Sequence, residues 1–353
     1  MDRIYLIDLK NDIIGHYHIM RSLATLNNTV EIDTCEKKIR FKKNPLKFIF
    51  ERISLVKRTM KVVNYSVDNE RFIAHYLTAD KFYFLFWLFP GILKGKKVIA
   101  TIHHIPKNKA LQYALRKFSH KISGIVVLSN YLKIELNKLK ITHVIAIQHP
   151  SFYDYSNIST KSELKVKFNI DAKLKVISFL GGTRYEKGLD ILLDAFKYIP
   201  EAEKQNLLLN IAGAENDFSL DFIRNKAVLY NIKIRCDIKR LTDEEFMENV
   251  MVSDYIAIPY RASFNAMSGP LSEAMCRGIG CILPKRGIFE YYGNNQPKQL
   301  MFDSESSESL SKSIVYALHH YCVPNQEFVH QFQLSTFLRK SEELYLSLLK
   351  NED

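Results

Sequence analysis

A strand–loop–helix–strand unit spans residues 256–284 and offers a place to bind an anion. It opens with an apolar run that ends at Pro259, which predicts a short buried strand, and a polar loop follows. Gly269-Pro270 then opens a predicted helix, because proline suits the first turn, where its missing N–H would have no partner. The unpaired N–H groups at such a helix start bind phosphates. Ser268 and Gly269 are therefore candidate phosphate-binding residues.

Glu273 is the carboxylate of this predicted helix. We expect it in the first turn, where a negative charge suits the helix dipole. In that position it is also able to reach a hydroxyl group of the bound ligand. We expect this helix over residues 271–277, ending at Gly278, and residues 280–283 form the next predicted strand.

A second candidate phosphate site is the loop after the predicted strand 176–180. Gly181-Gly182 lets the backbone approach a ligand closely. Arg184 and Lys187 then bring two cations to the end of a parallel strand. Since a hydrogen bond to a charged group contributes about 1.5–3 kcal/mol, these two side chains are able to hold a diphosphate without a metal ion.

Histidines follow another predicted strand, residues 97–102. His103 and His104 come directly after it, and ligands in open α/β sheets gather beyond such strand ends. Both are candidates to position a substrate. The alternative is that they are loop residues whose ring nitrogens bond the backbone.

The first elements of the chain are typical of a Rossmann-like domain. A predicted strand at residues 4–7 precedes a loop that ends at Gly15, and a helix is expected from His16 onward. The loop has no Gly-x-Gly-x-x-Gly pattern, which disfavours a dinucleotide site. Further short apolar runs alternate with helical segments, so we predict an α/β fold.

Length and charge limit the possible architectures and partners. At 353 residues the chain should form two domains. Its net charge of +12 is concentrated in residues 37–61, where apolar side chains interleave with lysine and arginine. This segment fits a solvated amphipathic helix or an anionic membrane surface. Nothing besides charge supports nucleic acid, so we expect no nucleic-acid partner.

Residues 82–93 are strongly apolar and aromatic. The segment is interrupted by Pro90-Gly91 and is shorter than the roughly 20 residues that a membrane-spanning helix needs. We interpret it as a buried helix or as a surface that faces a membrane or a lipid acceptor. The five cysteines have no Cys-x-x-Cys spacing, and no signal peptide is evident at Met1. We therefore expect reduced cysteines and a cytoplasmic location, with peripheral association at the inner face of the plasma membrane as a further expectation.

The two phosphate-binding segments together resemble the retaining GT-B glycosyltransferases of the family-4 type. Residues 181–188 are similar to a family loop whose arginine and lysine contact the donor diphosphate, here Arg184 and Lys187, with Gly182 beside them. The family signature Glu-x7-Glu followed by Ala-x-x-x-Gly is matched at Glu273, which resembles the ribose-binding glutamate. Eight residues earlier, Asn265 replaces the glutamate that lies near the donor sugar.

The resemblance extends more weakly to the first half of the chain. Thr101 to His104 is similar to a strand-end element whose histidine sits beside the reacting sugar, and His103 is the better match. Gly15-His16 is a reduced form of a glycine loop that faces the donor phosphates.

A GT-B fold implies two Rossmann-like domains with a cleft between them. We expect an acceptor-binding domain at residues 1–160, a nucleotide-sugar-binding domain at 161–325 and a C-terminal helix at 326–353 that returns to the first domain. The resemblance implies transfer of a hexose from a UDP- or GDP-sugar to a saccharide, which we expect to be lipid-linked, in polysaccharide or glycolipid assembly. The nucleotide-sugar is a co-substrate, and no other cofactor is expected.

No Asp-x-Asp motif occurs in the chain, so a metal-dependent GT-A enzyme is disfavoured and no metal site is expected. Two alternative functions stay open. The replacement at Asn265 favours a non-catalytic GT-B subunit that binds a partner or a lipid. A nucleotide-sugar epimerase would use the same architecture.

Overall fold

The computed structural model describes residues 3–8, 14–33, 44–65, 72–88, 97–106, 108–264 and 267–350. Within them the chain forms two six-stranded sheets in which every neighbouring pair of strands is parallel. The chain divides into two compact units. Unit 1 comprises Met1–Phe152 with Leu334–Asp353, and unit 2 comprises Tyr153–Gln333.

Unit 1 is built on a sheet of strand order β2-β1-β3-β4-β5-β6. Its strands are β1 (Arg3–Asp8), β2 (Thr29–Asp33), β3 (Phe72–Tyr76), β4 (Val98–Ile102), β5 (Gly124–Val127) and β6 (Val144–Ala146). The helices up to the boundary are α1 (Ile14–Leu23), α2 (Pro45–Tyr65), α3 (Tyr83–Leu88), α4 (Lys109–Ser119) and α5 (Asn130–Lys138).

Both faces of this sheet are covered. Along β1, Tyr5 and Ile7 enter one hydrophobic cluster, whereas Ile4 and Leu6 enter another on the opposite side. This alternation follows from the two-residue period of a strand. A parallel sheet with helices on both faces needs apolar side chains on both, which is why its strands are continuous apolar runs.

Unit 2 repeats the architecture with strand order β12-β11-β10-β7-β8-β9. Its strands are β7 (Lys175–Leu180), β8 (Leu207–Ala212), β9 (Ile234–Asp237), β10 (Tyr255–Ala257), β11 (Gly280–Pro284) and β12 (Met301–Phe302). Its helices are α6 (Lys161–Lys167), α7 (Leu189–Ala195), α8 (Glu201–Lys204), α9 (Leu220–Leu229), α10 (Asp243–Met251), α11 (Gly269–Cys276), α12 (Gly287–Gly293), α13 (Ser307–His319) and α14 (Gln326–Val329).

The last helix, α15 (Leu334–Lys350), belongs to unit 1. Phe337, Tyr345 and Leu349 lie in the same cluster as Ile4 and Leu6 of β1. The Tyr345 hydroxyl lies 2.7 Å from Nδ1 of His75, whose Nε2 lies 2.8 Å from Thr101 Oγ1. This buried polar chain joins α15 to β3 and β4.

The structure confirms the predicted α/β class and its two parallel sheets. One local prediction is wrong: α1 begins at Ile14, so Gly15 lies inside the first helical turn rather than in the preceding loop. The aromatic segment is helical from Tyr83 to Leu88, and its later part lies outside the described residues. None of the helices described here is both long enough and apolar enough to cross a membrane. Cys236, Cys276, Cys281 and Cys322 are free.

Candidate functional site

The loop between β7 and α7 is held in a fixed shape by Thr183. Its backbone N–H donates to the Ala214 carbonyl at 2.9 Å, and its hydroxyl donates to the Phe218 carbonyl at 2.7 Å. The same hydroxyl accepts from the backbone N–H of Asn216 at 2.9 Å. These hydrogen bonds attach the loop at the end of β7 to the loop at the end of β8. Gly182 belongs to the first of these loops.

Lys187 is a buried lysine in this loop. It ends the short 3-10 turn Tyr185–Lys187, and only 8% of its surface is exposed. Its ammonium lies 5.4 Å from the centroid of the Tyr260 ring. A Cβ atom on Gly181 would collide with Lys187 Nζ, so glycine at 181 leaves the space that the ammonium occupies.

The surroundings of Lys187 favour an anionic ligand. Among the described residues Lys187 Nζ makes no hydrogen bond or ion pair, and its one recorded polar contact is with the Tyr260 ring. Lys187 Nζ is not among the buried polar atoms that lack a partner, so solvent reaches the ammonium although most of the side chain is buried, and the cation–π contact supplies only about 0.5–2 kcal/mol. A phosphate oxygen beside Nζ would supply the missing pair.

Arg184 lies on the same loop in a different setting. Its side chain is 49% exposed, and Nη1 lies 3.0 Å from Oε1 of Glu186. Exposed ion pairs of this kind contribute about 1 kcal/mol or less. The guanidinium is therefore able to leave Glu186 at small cost when a diphosphate arrives.

Arg261 holds the same loop in place through its guanidinium group. It was not among the predicted site residues. Its guanidinium pairs with both carboxylate oxygens of Asp190, at 3.0 and 2.5 Å, and donates to the Tyr185 carbonyl at 2.5 Å. It also lies 3.9 Å from the Tyr185 ring centroid. The signal available in the sequence was an arginine directly after a strand end, which by itself is not specific.

The start of α11 lies close to the same place. Ser268 has extended dihedral angles and caps the helix by accepting from the Leu271 N–H. Ser268 Oγ also donates to the Tyr260 hydroxyl at 3.3 Å. Gly269 faces open space, since a Cβ added there would meet no atom within 4 Å. Tyr260 thus connects the helix start to Lys187, a link that sequence analysis missed.

Glu273 lies in the second turn of α11, not in the first. The prediction was wrong because Ser268 caps the helix, so that Gly269 and Pro270 are already helical. The Glu273 side chain is buried, and the Tyr155 hydroxyl donates to its Oε2 at 3.1 Å. Burial and the neighbouring Glu273 charge raise the pKa of Tyr155. The helix ends as predicted before Gly278, which is left-handed at φ 68°.

Asn265, the residue that replaces the expected glutamate, lies outside the described residues. Five of the other predicted positions of unit 2 fall into one neighbourhood, namely Gly182, Arg184, Lys187, Ser268 and Gly269, whereas Glu273 lies in the second turn of α11, bonded to Tyr155. Lys187, Tyr260 and Ser268 are connected by direct contacts, while Arg184 and Gly182 lie on the loop that carries Lys187.

The predicted histidines of unit 1 follow β4 and are held by an aspartate that the sequence analysis did not identify. Asp80 accepts from the backbone N–H of His103 at 2.8 Å and from that of His104 at 3.0 Å. His103 Nε2 lies 2.7 Å from the Leu77 carbonyl, which can only accept, so Nε2 carries a proton. In the neutral ring Nδ1 is then an acceptor.

A third histidine belongs to the same strand-end region. His149 follows β6, and its ring packs on Phe152 at 5.1 Å between centroids. Burial lowers the pKa of His149 to about 4, with a further contribution from the charge of His103. His149 is therefore neutral at pH 7. Across the described ranges no group of three or more His, Cys, Asp or Glu side chains is placed to hold a metal ion.

Comparison with known families gives one match, which covers most of unit 2. Residues 160–331 match the family model described as glycosyl transferases group 1. That segment contains the Lys187 loop, the start of α11 and Glu273. Unit 2 is therefore similar to this family over most of its length. No curated protein matches the chain by sequence.

Solved structures match the chain over nearly its whole length. A glycosyltransferase from Rickettsia africae ESF-5 has a TM-score of 0.68 at 17% identity, covering 99% of each chain. Anabaena HepE, solved with UDP, has a TM-score of 0.67 at 13% identity, covering 98% of this chain and 100% of that one. The α,α-trehalose 6-phosphate synthase of Burkholderia multivorans has a TM-score of 0.68 at 9% identity, covering 99% and 97%. These likenesses establish the GT-B fold.

Proposed function

We propose that the chain is a retaining glycosyltransferase that moves a hexose from a UDP- or GDP-sugar to an acceptor hydroxyl. The observation that carries the proposal is Lys187, whose side chain is mostly buried, whose ammonium has no anionic partner among the described residues, and which Tyr260 connects to the open start of α11. The family match of unit 2 supports it. So do the HepE structures, which hold UDP and UDP-glucose.

In the proposed reaction, the bond between the anomeric carbon and the diphosphate oxygen breaks. A bond to the acceptor oxygen forms on the same face of the sugar, and the acceptor hydroxyl gives its proton to the departing diphosphate oxygen. Negative charge grows on the departing diphosphate. Lys187, Arg184 and the N–H groups at Ser268 and Gly269 are proposed to stabilise that charge, and such electrostatic stabilisation is usually the largest single contribution to catalysis.

The remaining residues are proposed to bind the substrates rather than to stabilise the charge that develops on the diphosphate. Glu273 holds the ribose, and His103 and His104 position the sugar or the incoming hydroxyl. The cationic and amide donors are proposed to serve in place of a metal ion. Retention of activity in excess EDTA would support that part, and its loss with recovery on adding Mg²⁺ or Mn²⁺ would contradict it.

The test is calorimetric titration with UDP, GDP, ADP and their sugar conjugates. Lys187→Ala and Glu273→Ala should each weaken binding of the preferred nucleotide about tenfold or more. Lys197→Ala is the matched control, because Lys197 makes a similar contact, 5.5 Å from the Tyr198 ring, at the surface. Absence of binding by any nucleotide would overturn the proposal in favour of a non-catalytic subunit. Isomerisation of the donor without an acceptor would indicate an epimerase.

For the acceptor we propose a saccharide linked to a lipid, reached at an anionic membrane surface at the inner face of the plasma membrane. The exposed face of α2 supports this. Leu46 and Phe50 are each 68% exposed, and Lys57 and Lys61 follow on the same face at helical spacing. Apolar residues beside cations are typical of helices that lie on anionic bilayers.

Sedimentation with vesicles tests the membrane contact. Binding to vesicles that contain phosphatidylglycerol should exceed binding to pure phosphatidylcholine and should fall on Lys57→Glu with Lys61→Glu. Charge reversal at Lys109 and Lys117, exposed on α4, is the control for net charge. Equal loss in both double variants would contradict a specific α2 surface.

A further inference from the structure

We infer that Tyr155 is a positioning residue for the donor nucleotide, because it fixes the Glu273 carboxylate that is to receive the ribose hydroxyls. This inference rests on the proposed function of Glu273. Tyr155 lies before residue 160, outside the segment that matches the family model. Its assignment comes from its contacts in the structure.

The Tyr155 side chain makes two contacts within unit 2, one through its hydroxyl and one through its ring. Its hydroxyl donates to Glu273 Oε2 at 3.1 Å, and its ring lies under the Arg277 guanidinium, 4.8 Å from centroid to Cζ. Glu273 and Arg277 are one helical turn apart on α11 and its C-terminal cap. The tyrosine therefore spans the stretch of α11 from the carboxylate to the helix end.

The hydrogen bond has a consequence for binding. A carboxylate with two free rotamers must lose that freedom when it binds a ribose, which weakens binding. A carboxylate already held through Oε2 has lost it before the ligand arrives. The Tyr155 hydroxyl is buried, so water does not compete for the same oxygen.

Tyr153, a neighbouring tyrosine with different contacts, provides the control for Tyr155. It lies two residues earlier and packs on α10, with its ring 5.4 Å from that of Phe246. Its hydroxyl bonds Asp243, and the Glu273 charge is also close enough to help raise the pKa of Tyr153. Removing the Tyr153 hydroxyl is therefore a matched change that leaves the Glu273 contact in place.

The experiment compares two nucleotides on Tyr155→Phe, which keeps the ring under Arg277. Calorimetry with UDP, or with GDP if that base is preferred, should show affinity reduced about tenfold, the size expected for one hydrogen bond to a charged group. Affinity for the 2′,3′-dideoxy nucleotide should be unchanged, because it has no hydroxyls for Glu273 to receive. Tyr153→Phe should change neither affinity by more than about twofold.

A double-mutant cycle completes the test. In a Glu273→Ala background, Tyr155→Phe should have no further effect on UDP binding. The inference is overturned if Tyr155→Phe weakens both nucleotides equally or neither, while Glu273→Ala still discriminates between them. If Glu273→Ala itself leaves UDP affinity unchanged, the ribose role of Glu273 fails and the inference fails with it.

Discussion

The Lys187 ammonium lies over the Tyr260 ring, 5.4 Å from its centroid, and this contact connects the two parts of the candidate donor site. The same tyrosine meets Ser268 at the start of α11 through its hydroxyl. Because Tyr260 is buried, it has one orientation in which both contacts exist. The cation and the helix start are thus set by a single aromatic side chain.

Replacement of Tyr260 should separate its two contacts. Tyr260→Phe keeps the ring under Lys187, so UDP affinity should stay within about threefold. Tyr260→Leu removes the cation–π contact, and affinity should fall about tenfold, a change of the size known for desolvated cation–π pairs. Calorimetry measures both, and thermal melting identifies any loss of folding. Equal affinities for the two variants would show that the ring does not hold Lys187.

If Arg184 binds the donor diphosphate as proposed, Glu186 competes with the donor for its guanidinium. The variant Glu186→Gln removes the negative partner that lies 3.0 Å from the guanidinium. We expect UDP affinity to rise about two- to fivefold, in keeping with the small value of an exposed ion pair. The rise should vanish in an Arg184→Ala background. An unchanged affinity in the single variant would show that Arg184 does not bind the diphosphate.

Substitution by alanine should affect stability at one glycine of the site and nucleotide affinity at another. Gly188 is left-handed at φ 65°, and a Cβ there would collide with the Pro259 carbonyl. Gly188→Ala should therefore lower the free energy of unfolding by about 2 kcal/mol or more. Gly269→Ala meets open space and should leave stability within about 0.5 kcal/mol, while reducing UDP affinity because its methyl group enters the space before the helix start.

Urea denaturation without ligand measures the stability of both variants, and calorimetry measures the affinity of Gly269→Ala. Full UDP affinity in Gly269→Ala would argue against a phosphate at this helix start. A stable Gly188→Ala protein would show that the Pro259 carbonyl can move aside.

His75 should make unit 1 sensitive to acid. Burial, with a contribution from the charge of His103, lowers its pKa from 6.5 to about 3. The unfolded chain protonates this histidine below about pH 6.5 while the folded chain does not, so stability is lost as pH falls through that range. At pH 5 the loss is about 2 kcal/mol.

The check is the free energy of unfolding at pH 7.5 and pH 5.0. His75→Gln should lose about 2 kcal/mol less than the wild type between these pH values. His149 remains in both proteins and contributes equally to each, so the difference isolates His75. Identical pH dependence would show that the pKa of His75 is the same in the folded and unfolded chains.

The strands were predictable because the sheets are parallel and covered on both faces. Strands such as β4 and β7 are short runs of apolar residues between turn signals, and their bounds agree with the predicted ones to within a few residues. Helix starts were less certain. At both Gly15 and Glu273 the helix begins earlier than expected, which moves a candidate residue into a different turn.

The supporting contacts could not be predicted, because their partners are far apart in the chain. Asp80 holds the His103 N–H, and Tyr155 holds Glu273, through pairings that exist only after folding. Arg261 and Tyr260 were visible only as residues after a strand end. Their partners, Asp190 and Lys187, follow a different strand.

The position of α15 affects the order in which the protein folds during synthesis. Its residues Phe337, Tyr345 and Leu349 complete a core whose other side chains are made first, from Ile4 onward. Unit 2, at Tyr153–Gln333, is translated in between. At 5–20 residues per second, the ribosome takes roughly ten to forty seconds to pass through it. The first unit to begin synthesis is thus the last to be completed, and Leu6 and Ile73 lack their packing against α15 until that helix has been made.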